Sequence, residues 1–157
     1  MNTEKALLRK YEDDLNVSGI GVIIMGAWSC AKVFIEVLLN SDDVFGEEGG
    51  IKDLGPVGIS IVLILVFILS LIIMKIHLYI GGNAMKASKG KQHKKGYFVA
   101  AIIYAVINVL GLLPYYESLQ NVDTIDTTIA SILVDLTTIY ILIIVIISTL
   151  KIKRIND

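Results

Sequence analysis

A single cysteine, Cys30, stands in this chain of 157 residues, which excludes an intrachain disulfide and any cysteine-based metal motif. There are only two histidines, His77 and His93, so a His-rich metal site cannot form. A Ser-His-Asp set and a nucleotide fingerprint are both missing. In the segment 86–95 the glycine that a phosphate loop needs five residues before Gly90 is Met85. No two carboxylates face each other within one helix. Catalysis therefore has little to work with, and the residues point to a non-enzyme without a cofactor. The formal net charge of −1 gives no reason to expect a nucleic-acid partner.

Apolar residues are what the chain has in abundance. They make up 55% of it, and the mean hydropathy of +0.72 exceeds what one soluble core requires. The excess sits in four long runs, at 17–39, 57–80, 97–113 and 127–150. About 20 apolar residues in a helix cross a hydrocarbon core roughly 30 Å thick. The expected fold is thus all-α: one polytopic membrane domain over residues 1–157, a four-transmembrane-helix bundle. Pro114 ends the third and shortest run, followed by Tyr115 and Tyr116 as amphipathic interface rings. Gly55-Pro56 opens the second run, and Gly81-Gly82 is expected to loosen its far end. Ahead of the first run, Ala6, Leu7, Leu8, Tyr11 and Leu15 recur at helical spacing between charges, the pattern of a short amphipathic interfacial helix. Ala27-Trp28-Ser29 before Cys30 has the form of a cleavage site. Even so, the acidic segment ahead of the run and the apolar stretch beyond Cys30 favour a retained helix.

Orientation follows from the flanks. Eleven basic residues lie on one side, in the N-terminal segment, in the loop after the second run and in the tail. The other side has Lys52 alone, among Asp42, Asp43, Glu47, Glu48, Asp53, Glu117, Asp123 and Asp126. The positive-inside rule places both termini and the lysine loop in the cytoplasm of a multi-pass cell-membrane protein. So uneven a distribution argues against an antiparallel homodimer. The excess of lysine over arginine, twelve to two, together with abundant isoleucine, suggests a low-GC bacterial source.

Without a hydrophobic force between helices in lipid, small and polar residues mark the contacts. Thr128, Ser131, Asp135 and Thr138 share one face of the fourth helix, which should turn inward while Leu133, Tyr140 and Ile144 face lipid. Tyr97, Ala101, Tyr104, Asn108 and Gly111 line the third, with Ala105 beside them. Ser60, Ser70 and His77 lie on a stripe of the second with Leu63, Phe67 and Met74. The first offers Ser18, Gly26, Ala27, Ser29 and Lys32.

One charged constellation stands out. An ionisable group at membrane depth costs about 2.5–3.5 kcal/mol on insertion scales and needs partners. At about 1.5 Å per residue, Lys32 comes out roughly 8 Å below the outer boundary, Asp135 about 12 Å and Asn108 near 14 Å. Glu36, one turn after Lys32, competes as a partner. Two readings follow. One is a salt bridge of Lys32 with Asp135, supported by Asn108, that fixes helix pairing. The other is a polar site open to the outside or to a ligand, as in a small oligomeric transporter or channel. A single Lys and a single Asp neutralise each other, which favours the first reading and an accessory, immunity or regulatory module acting through helix or lipid contacts. The expected partners are the bilayer and either a second copy of the chain or another membrane protein. Lys86, Lys89, Lys91, Lys94 and Lys95 can hold anionic lipid headgroups, at about 1 kcal/mol each, or serve only to set topology. Lys75 and His77 are expected at the cytoplasmic end of the second helix, within reach of the headgroups. The acidic stretch 41–53 lacks the order of a calcium loop and reads as a solvated connector.

Overall fold

The computed structural model describes residues 2–39, 55–119 and 125–156, and all regular structure among them is helical. The elements are α1 (Asn2–Leu39), α2 (Gly55–Ser88), α3 (Gly96–Leu110), a single turn α4 (Tyr115–Ser118) and α5 (Ile125–Asn156). Three of them, α1, α2 and α5, are long and apolar enough to cross a membrane, and α3 is a shorter apolar helix. The acidic stretch 41–53, with Lys52, and Asp123 lie outside the described residues, as do the side chains of Glu36, Glu117 and Asp126.

Helix α1 runs unbroken for 38 residues. The amphipathic segment expected ahead of the first run is therefore helical but not a separate element. Asn16, Val17 and Ser18 carry no proline or helix-breaking glycine, so the backbone ladder continues through the junction. Leu15 is buried there, only 1% exposed.

Helix α2 begins at Gly55-Pro56, where the missing proline N–H falls on a group with no intrahelical partner. It passes through Gly81-Gly82 to Ser88 rather than loosening there. The reason is packing. A Cβ built on Gly19 would lie 2.9 Å from the Gly81 carbonyl oxygen and 2.8 Å from Met85 Cγ, and one built on Gly81 would meet the Gly19 carbonyl oxygen. The two glycines let α1 and α2 approach backbone to backbone, while Gly82 faces open space. The helix ends in a Schellman motif: Lys91 N–H donates to the Lys86 carbonyl at 2.9 Å and Gly90 N–H to the Ala87 carbonyl at 3.1 Å. Gly90, at φ 63°, occupies the left-handed position the motif requires.

Helix α3 has 15 residues and rises about 22 Å. Its exit winds tighter, with i→i+3 bonds from Leu112 to Val109, Leu113 to Leu110, Tyr115 to Leu112 and Tyr116 to Leu113. Pro114 sits inside this turn, which carries the chain into α4.

The chain divides into two compact units. The first contains residues 1–25 and 77–157, so it holds the start of α1, the end of α2, and α3 to α5. Every buried apolar side chain identified as core lies in it: Leu15, Val22, Ile80, Ala84, Tyr97, Ala101, Leu142 and Val145. Helix α3 packs along α5, and α4 touches α5. The second unit, Gly26–Ile76, pairs the remainders of α1 and α2. There the Cys30 thiol donates to the Ser70 carbonyl at 3.2 Å, while Leu63, Phe67 and most other apolar side chains of α2 are exposed. The stripe predicted for α2 therefore holds at Ser70 and His77 and fails at Ser60, Leu63 and Phe67.

Candidate functional site

Several hydroxyl and amide side chains on these helices donate to their own backbone. Ser60, Ser70, Asn83, Asn108, Thr137, Thr138 and Thr149 each donate to the carbonyl four residues earlier, at 2.7 to 3.0 Å. This back-bonding lets polar groups sit on membrane-length helices without partners from elsewhere.

On α5 the predicted face turns inward at Thr128 and Thr138, both buried, with Ser131 and Asp135 half-buried. Leu133 and Tyr140 are exposed as expected, but Ile144 is half-buried, one turn before the buried Ser148 on the same face. Asp135 accepts a hydrogen bond from the Tyr115 hydroxyl at 2.6 Å, a donor that sequence reasoning assigned to the interface instead. The tight turn through Pro114 brings Tyr115 back against α5. Tyr116, its neighbour, stays exposed. Two adjacent tyrosines after a proline carry no sign of which one turns inward. Asn108, half-buried on α3, uses an amide N–H on the Tyr104 carbonyl. Lys32 is half-buried on the α1 part of the second unit, whereas Asn108 and Asp135 belong to the first.

His77 is wholly buried rather than within reach of the headgroups. Helix α2 continues eleven residues past it, about 16 Å, so the ring lies well inside the helix. It meets Tyr104 of α3 edge to face, with centroids 4.8 Å apart. Lys75 is exposed.

The lysine loop, by contrast, is a built structure. Besides the Schellman motif, Asn83 Oδ1 accepts the Lys94 backbone N–H at 2.9 Å. His93 Nδ1 lies 3.0 Å from the Lys91 carbonyl, which can only accept, so Nδ1 carries the proton. The His93 ring stands edge-on to Tyr97, 5.7 Å between centroids. Tyr97, 2% exposed, hydrogen-bonds Thr149 across α3 and α5 at 2.9 Å. The Thr149 proton goes to the Val145 carbonyl at 2.7 Å, so Tyr97 is the donor. Between these elements lies a cavity of about 510 Å³. Of the five lysines predicted to contact lipid, Lys91 and Lys95 line it, and Lys153 of α5 joins them. Lys86, Lys89 and Lys94 are exposed outside it. Among the described residues no group of three His, Cys, Asp or Glu side chains is placed to hold a metal ion.

Comparison with protein families, with characterised proteins and with solved structures finds no match to this chain.

Proposed function

We propose that this chain is a non-enzymatic membrane module, an accessory, immunity or regulatory subunit acting through helix or lipid contacts. In this reading it is a four-span protein of the cell membrane with both termini cytoplasmic, and α3 with the turn after it forms the third span. The observation that supports it is the back-bonding of helix hydroxyls and amides onto their own carbonyls, which spends these donors within their own helices. The long exposed apolar faces of α2 and α5 supply contact surface for lipid or for another helix.

A second reading is a small oligomeric transporter or channel using Lys32, Asp135, Asn108 and Glu36 in the outer half of the bundle. One observation favours it: Asp135, an ionisable group on a membrane-length helix, is held by the Tyr115 hydroxyl. Proteoliposomes loaded with pH- and cation-sensitive dyes separate the two. The module reading expects no flux above empty vesicles under a proton, sodium or potassium gradient. A flux that vanishes in Asp135→Asn, with the fold intact by circular dichroism, would replace it with the transporter reading.

A further inference from the structure

We infer that the cavity at the lysine end of the first unit is a binding site for the headgroup of an anionic phospholipid. The inference deepens the proposed function and rests on its lipid-contact reading and cytoplasmic orientation. Two observations converge, and the depth expected of the proposed fourth span agrees with them. The first is charge. Lys91, Lys95 and Lys153 line the cavity, and among the described residues no carboxylate does. Lys91 and Lys95 come from the loop, and Lys153 comes from the last turn of α5, more than fifty residues later. Only the packing of α3 on α5, held by the Tyr97–Thr149 hydrogen bond, gathers them.

The second observation is the apolar remainder of the wall, which includes Leu15, Phe98 and Leu150. A site for a soluble phosphate has no use for such a wall, whereas the glycerol and first methylenes of a lipid do. The volume of about 510 Å³ suits a headgroup and the start of a chain. The expected depth is consistent with both. Counted from residue 127 at about 1.5 Å per residue, Thr149 lies roughly 33 Å along α5, just past a hydrocarbon core of about 30 Å. Lys153, one turn further, is then level with the phosphates. The loop is also fixed in advance: Gly90, Asn83 and the His93–Lys91 contact set its backbone, so little conformational freedom is lost on binding.

The test uses the full chain in detergent, with native mass spectrometry to count bound phosphatidylglycerol or phosphatidylcholine. The wild-type protein should retain phosphatidylglycerol preferentially. Lys91→Gln/Lys95→Gln/Lys153→Gln should weaken that retention about 100-fold, near fivefold per lysine, and leave phosphatidylcholine unchanged. Lys86→Gln/Lys89→Gln/Lys94→Gln removes the same charge outside the cavity and should cost no more than about fivefold, the effect of one lysine. Ala87→Phe fills the cavity without altering charge and should also lower retention. Equal losses in the two lysine variants would mean diffuse attraction, overturning the site but leaving the lipid-contact reading standing. The absence of any phosphatidylglycerol preference in the wild type would overturn both. Full displacement by equimolar glycerol phosphate would assign the cavity to a soluble phosphate ligand instead.

Discussion

Gly81 and Gly82 are adjacent in sequence and opposite in consequence. A methyl group at Gly81 meets the α1 backbone at Gly19 and Ile23 Cγ1 at 2.7 Å, and backbone cannot step aside as a side chain end can. Gly81→Ala should therefore lose about 1–3 kcal/mol, the cost of overpacking. Gly82 faces open space, so Gly82→Ala should gain up to about 1 kcal/mol from helix propensity. Unfolding in mixed micelles, followed by circular dichroism, gives both values, and equal effects at the two positions would contradict the crossing. A second residue-scale prediction concerns Asp135. Tyr115→Phe removes a hydrogen bond to its carboxyl group and should cost about 1–3 kcal/mol in the same assay. Tyr116→Phe, on an exposed ring, should cost almost nothing.

At the scale of elements, α2 shows how tertiary packing overrides a local signal. Two consecutive glycines read as a helix end, and each weakens an isolated helix by about 1 kcal/mol. Here burial of Ile80 and Ala84 on either side of the pair, with the α1 crossing between, more than offsets that weakness. Amide hydrogen exchange should show residues 78–86 protected as well as residues 70–77. Rapid exchange beginning at Gly81 would mean that the helix ends there. On α5 the inward face was legible because Thr128, Ser131, Asp135 and Thr138 recur at helical spacing. Ile144 was not, since one apolar residue among many gives no indication of its depth.

For the whole molecule, the distribution of charge makes the strongest prediction. In a Cys30→Ser background, a cysteine in the lysine loop should be shielded from impermeant thiol reagents in intact cells, and one at Gly49 should label. The reverse pattern would invert the orientation and move the lipid site to the outer leaflet. Lys32 and Asp135 supply a test of long-range coupling. If they neutralise each other, Lys32→Met and Asp135→Leu should each cost about 3–5 kcal/mol and the double variant less than either. Additive losses would return Lys32 to Glu36 as its partner.

Some of this was decided by composition and order alone. Membrane-length apolar helices follow from the runs, because the bilayer admits only backbone that satisfies itself. The inward face of α5 follows from the 3.6-residue period, and the candidate lysines follow from being a dense basic stretch. Other features required the fold. The Gly19–Gly81 crossing joins residues far apart in sequence, and nothing local distinguishes those glycines from Gly82. Tyr115 rather than Tyr116 reaches Asp135 because a tight turn sets its direction. The selection of Lys91 and Lys95 from five lysines, and the addition of Lys153, depends on where α3 seats against α5. Solvated lysines are equivalent along a sequence and become distinct only when packing places a wall beside some of them.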